Sequence, residues 1–259
     1  MQLTLTQNNR TYHVELESAT CLAIPYDYDG EQPNFFNVPK GAASPYESDD
    51  FVGCVNGNKG CEVMVINQNI HCTGTHTECA GHIQNENIFI NDVLTPGYIL
   101  TELISVNPID WVDTAESYHC PVAPDEKVIT RRLIKDFVSQ PVPGLVIRTL
   151  PNTPEKLDRK YDESNTPFFT TEAVQYILEL GVIHLVVDLP TIDKTNDGGA
   201  LGNHHLFFES DPPFKKSITE FAYIPNNLID GQYFMEIEIP PMQLDAAPSR
   251  PFLYKFAEN

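Results

Sequence analysis

The chain has 259 residues, 41% of them hydrophobic, which suffices for one large domain or two small ones with a buried core. Its 36 acidic residues against 16 basic ones leave a net charge of −20. That balance argues against nucleic acid or an anionic membrane as a partner, because both require clustered Lys and Arg, and the densest basic spots here are the pairs Arg131-Arg132 and Lys215-Lys216.

The opening stretch MQLTLTQNNRTYHVEL alternates polar and apolar residues. It lacks the basic and apolar regions of a signal peptide, so none is expected. No run approaches the roughly 18 apolar residues of a membrane helix. The six cysteines, at positions 21, 54, 61, 72, 79 and 120, form no C-x-x-C pair and are expected as reduced thiols in a soluble, cytoplasmic protein.

Residues 3–5 and 12–16 alternate with the strand period and predict a hairpin around Asn8-Asn9. Residues 25–60 are rich in Pro, Gly, Asp and Tyr and predict a long irregular segment. Its aromatics Tyr26, Tyr28, Phe35, Phe36 and Tyr46 either line a pocket or pin the segment to the core. Strands are expected at 63–67, 98–106, 145–150, 182–189 and 233–239, the fourth nearly all apolar and so buried on both faces. Helical spacing appears at 130–139 and at 171–180, where Gly181 supplies the stop. Residues 152–168 read as a polar surface loop. The pattern is α/β, richer in strand than in helix, in one domain over residues 1–259.

The window NIHCTGTHTECAGHI, residues 69–83, concentrates ligand-type side chains. In an extended chain, residues two apart face the same way. Cys72, Gly74, His76 and Glu78 then share one face, and His71 falls on the other. Thiolate, imidazole and carboxylate are ordinary Zn²⁺ ligands, and Gly74 leaves room for an ion. A turn near Ala80-Gly81 would bring His82 beside the ion as a general base for water. Cys79 is a weaker, nucleophilic candidate on the wrong face. His13, His119 and His184 stand alone and read as structural.

The same window resembles the H-x-G-T-H-x-D-x-P-x-H signature of the cyclase family of metal-dependent hydrolases, which includes bacterial kynurenine formamidase and isatin hydrolase. The resemblance continues through GLVIRTL (144–150), TTEAVQYILELGVIHLVVDLPTID (170–193), HHLFF (204–208) and the closing segment 218–254 with its D-A-x-P-x-R stretch. It implies a swivelling β/β/α domain with a β-barrel-like core and a few outer helices. It also implies a metal set of Cys72, His76, Glu78, His204 and Glu220 holding one or two ions, with His82 catalytic. His205 competes with His204. Cys72 stands where the family has His, Glu78 where it has Asp, and Ala80 where it has Pro. A thiolate at 72 would favour Zn²⁺ over Mn²⁺. Asp193, near the site by the same resemblance, orients a ligand or has a structural role. The Gly-rich stretch 196–203 bends the chain so that His204 enters.

The implied activity is arylformamidase-like amide hydrolysis of a small-molecule substrate, N-formylkynurenine first, in tryptophan catabolism and in a homodimer or homotetramer. The alternatives are a lactam hydrolase, a cyclase or dehydratase on another carbonyl substrate, and a small-molecule binding protein with a degenerate site.

Overall fold

The computed structural model describes residues 1–7, 10–56, 60–84, 87–161 and 166–257. Nine strands form one curled sheet: β1 (Thr20–Cys21), β2 (His76–Cys79), β3 (Ile99–Val106), β4 (Gly144–Thr149), β5 (His184–Val187), β6 (Ser217–Glu220), β7 (Gly231–Glu238), β8 (Ala246–Pro248) and β9 (Arg250–Tyr254). Their order is β8-β2-β6-β5-β4-β3-β7-β9-β1. The central four, β3 to β6, run parallel, and the strands on either flank pair antiparallel.

Every residue of β4 and β5 is buried, which suits the apolar runs 145–147 and 185–187 within them. Side chains alternate between two cores. Leu145, Ile147, Leu185, Val187 and Ile218 face the helices α2 (Arg131–Lys135), α3 (Thr171–Glu179) and α4 (Gly202–Glu209). Val146, Val186, Leu103, Met235 and Leu253 face the other way, where the curled sheet closes on Leu22, Ile224 and Ile90 of the short helix α1 (Ile90–Val93). The architecture is thus a half-barrel sheet with helices outside.

The α3 helix forms as its spacing predicts. Thr170 Oγ1 accepts from the Ala173 amide at 3.1 Å, and Gly181 takes the left-handed φ of +74° that ends the helix. The α2 helix is shorter than the expected 130–139, because Phe137, counted in its apolar spacing, is exposed. The segment 152–168 is only partly a surface loop. Lys156 is buried with its Nζ 2.7 Å from Asp188 Oδ2, and Phe168–Phe169 is a buried strand. Met64–Asn67 is a strand, but it pairs with Ala42–Pro45 in an arm outside the main sheet and is exposed throughout. Residues 25–60 also contain the short strands Asn34–Phe35, Glu47–Ser48 and Phe51–Val52. Gln2–Gln7 pairs with Arg10–Glu15 as expected, and the turn at Asn8-Asn9 lies outside the described residues. All six cysteines are free. Among the described residues no helix is long and apolar enough to cross a membrane.

His184 on β5 offers a test of this packing. It is buried, with Nδ1 2.8 Å from Ser217 Oγ, and burial pulls its pKa down from 6.5 to about 4. The folded chain keeps it neutral while the unfolded chain takes a proton. The neutral form's contribution is therefore intact above pH ~6.5 and lost as pH falls toward ~4, a total of about 3 kcal/mol. Urea unfolding across that window should show a steeper loss in the wild type than in His184→Gln, which keeps a polar group but does not titrate. Parallel profiles would refute this.

Candidate active site

Strand register places the first acidic groups. In the antiparallel pair β2–β6, His76 lies opposite Glu220 and Glu78 opposite Ile218. Alternation then puts His76, Glu78 and Glu220 on one face. Thr77 and Thr219 take the other face, with their hydroxyls 2.7 Å apart, and Cys79 joins the core there. Glu78 and Glu220 are only 1% and 3% exposed.

The α4 helix covers this face. Leu201, the residue just before it, is held in the left-handed region at φ +46°. His204 reaches down with Nε2 2.9 Å from Glu78 Oε1 and 3.6 Å from Glu220 Oε1. Its Nδ1 is 2.6 Å from Asp193 Oδ2. Asp193 also accepts from Tyr118 Oη and from the amides of Asn203 and His204. It therefore fixes both the start of α4 and the orientation of the imidazole. His205 points outward to Glu209, so His204 is the residue that enters. Asp197 accepts from the amides of Gly199, Ala200 and Leu201 and lies 3.3 Å from His119 Nε2, which holds the Gly-rich bend and gives His119 a partner.

Extended-chain parity fails before His76. Residues 70–75 form turns, and the strand begins only at His76. Thr73 Oγ1 donates to the Asn69 carbonyl at 2.6 Å, and Gly74 lies against the Tyr26 ring, where a Cβ would clash. The turn swings His71 onto the site face, with Nδ1 3.2 Å from Glu78 Oε2 and Nε2 2.9 Å from Asp245 Oδ2. Cys72 packs with Phe35, Tyr161 and Phe221. Its thiol is pushed up to about 11 by burial and by the Glu220 charge. His76 is fully buried, with Nδ1 3.1 Å from the Gly74 carbonyl and Nε2 3.6 Å from Glu220 Oε2.

The short turn Ala80–His82 returns His82 to the same centre. Its Nε2 lies 3.9 Å from Glu78 Oε2 and its Nδ1 3.2 Å from Asp245 Oδ2. The His71 and His82 rings stack at 4.3 Å. Asp245 thus braces two histidines at once. The D-A-x-P-x-R stretch was the only trace of it in the sequence.

Two groups of close ligand atoms share Glu78: His71 with His76 and Glu78, and Glu78 with His204 and Glu220. Cys72 belongs to neither group. Burial raises the Glu78 carboxyl, but the charges of His82 and His204 and hydrogen bonds from His204 and His71 outweigh it and hold Glu78 low. Burial and the Glu78 charge push Glu220 up. Burial, aided by the His71 charge, lowers His76 to about 3, so it is a neutral imidazole.

These residues fit a metal ion. His76 Nε2 and Glu220 Oε1 are buried without hydrogen-bond partners, a costly state unless something satisfies them. Five pairs of His and Glu ligand atoms lie 2.9 to 4.0 Å apart. That range brackets the ~3.3 Å edge of a tetrahedron with ~2.0 Å bonds.

A cavity of about 570 Å³ opens above, walled by Phe35, Phe36, Pro190 and Leu201. A larger groove of about 910 Å³, between Ile24, Leu94 and Ile237, contains no histidine, so the chemistry follows the smaller space. Phe36 and Phe221 sit at φ +60° and +54°. Phe36 and Leu201 thus put strained backbone in the cavity wall, and Phe221 puts it in the buried position directly after Glu220.

A family model described as "Putative cyclase" matches residues 3–194. The chain belongs to the cyclase family. That match ends before His204 and Glu220, which the fold itself brings in. A predicted metal-dependent hydrolase from Bacillus stearothermophilus superposes with a TM-score of 0.60 at 16% identity, covering 91% of this chain and 97% of that one. Isatin hydrolase A from Labrenzia aggregata, bound to benzyl benzoate, gives 0.58 at 10% identity over 91% and 93%. Isatin hydrolase A from Ralstonia solanacearum gives 0.59 at 13% identity over 91% of each chain. No protein of curated function matches the sequence significantly. The swivelling β/β/α fold expected of this cyclase-family chain is the one observed.

Gly81 tests how tightly the His82 turn is seated. A Cβ there would run into the Ile88 carbonyl oxygen, which is backbone and cannot rotate away. Gly81→Ala should cost about 1–3 kcal/mol in denaturant unfolding, the usual range for overpacking. A neutral result would show that the turn relaxes freely.

Proposed function

We propose that this cyclase-family protein is a metal-dependent amide hydrolase of the arylformamidase type, acting on N-formylkynurenine or a related aryl formamide. One observation carries the reading. His76, Glu78, His204 and Glu220 converge with unpartnered buried ligand atoms beneath a cavity that His82 also faces. These four side chains would hold one or two divalent ions such as zinc. When bound, such an ion polarises a carbonyl oxygen and lowers the pKa of water.

The chain's own groups do the rest. Asp245 anchors His82 Nδ1, which leaves Nε2 turned toward the Glu78 centre. His82 takes the proton of the attacking water and returns it to the leaving nitrogen. Asp193 keeps His204 aimed at Glu78. Phe35, Phe36 and Pro190 give the cavity an apolar wall suited to an aryl group. Ring-opening hydrolysis of a lactam is the second reading, favoured by the structural relatives named isatin hydrolase.

Assay of purified protein on aryl formamides, lactams and esters decides between them. Formamide turnover should be fastest and should vanish with chelator. His82→Ala should lower kcat by about 10²–10⁴-fold, the usual weight of general acid–base catalysis, while bound metal is retained. Undiminished turnover in that variant, or protein isolated without metal that gains none on addition, would overturn the reading.

A further inference from the structure

We propose that His71, not Cys72, completes the ligand set with His76 and Glu78, and that Asp245 holds it there. This rests on the metal-dependent reading above and departs from the position that sequence resemblance assigns.

The ring geometry carries the inference. Metal-binding histidines ordinarily tie one nitrogen to an oxygen acceptor and aim the other at the ion. His76 does so through the Gly74 carbonyl, and His204 through Asp193. His71 shows the same division: Nε2 lies 2.9 Å from Asp245 Oδ2, and Nδ1 faces Glu78 Oε2 at 3.2 Å. Its ligand nitrogen lies within 4.8 Å of the ligand atoms offered by His76 and Glu78. Cys72 sits in the apolar cluster of Phe35, Tyr161 and Phe221 and shares no such group. The backbone explains the exchange, because the turn over residues 70–75 rotates His71 onto the face that a strand would have given to Cys72.

The ligand set is then nitrogen and oxygen throughout. Without a soft thiolate, the expected preference for Zn²⁺ over Mn²⁺ loses its basis at this position.

The test loads the full chain with Co²⁺ alone. Its absorption should show nitrogen and oxygen coordination with no thiolate-to-cobalt charge-transfer band in the near ultraviolet. Cys72→Ser should give a superposable spectrum and the same cobalt stoichiometry by elemental analysis. His71→Ala, checked for folding by circular dichroism, should lose one equivalent of bound cobalt. A thiolate band that disappears in Cys72→Ser overturns the assignment and leaves the metal-dependent reading standing. So does a folded His71→Ala protein that titrates like the wild type. Wild-type protein that binds no Co²⁺ removes the metal-dependent reading itself, and this inference with it. The wild-type spectrum decides even where a variant does not fold.

Discussion

Two glutamates buried side by side set the terms for the rest of the molecule. Glu78 and Glu220 are almost fully removed from water on neighbouring strands. Uncompensated burial of even one carboxylate costs several kcal/mol, and like charges add to that cost. The structure answers with four imidazoles. His71, His76, His82 and His204 each approach one or both glutamates within 4.0 Å. No Lys or Arg forms an ion pair with either glutamate among the described residues. A permanent cation there would neutralise the pair and close the space, whereas imidazole leaves the carboxylates able to bind something else.

Around this centre, aspartates rather than glutamates do the bracing. Asp193 and Asp245 each bind the far side of a histidine whose near side faces Glu78. The shorter side chain has fewer torsions to immobilise, so it defines a ring orientation with less loss of entropy. Asp193 also receives the first amides of α4, so the helix that carries His204 and the plane of its ring are fixed by one group. Asp188, a few residues earlier, is turned instead to Lys156 and Thr149 and belongs to the scaffold.

Parts of this arrangement were legible in the sequence because they rest on local regularity. The apolar runs of β4 and β5 and the capped, glycine-terminated α3 follow directly from periodicity. His76 and Glu78 share a face because they do stand on a strand. Parity does not place His71, because it assumes an extended backbone and the chain turns before the strand begins at His76. Helix α4 left no signature. Gly202 and Asn203 are poor helix formers, and the helix spends its buried face on a histidine as well as on Phe207 and Phe208. Asp245 was hidden by distance, because it meets His82 from 163 positions away. Family resemblance supplied His204 and Glu220, which no local pattern marks.

The pairing of β2 with β6 joins residues about 140 positions apart, as the Thr77–Thr219 contact shows. Contacts of that sequence separation close late, since loop entropy must be overcome before they contribute. His76 and Glu78 meet Glu220 only when this pairing forms, so a nascent or partly folded chain has no assembled centre. Ligand capture at these residues is therefore a report on completion of the sheet. An ion that bound there would favour the closed chain over every species still lacking its β2–β6 register.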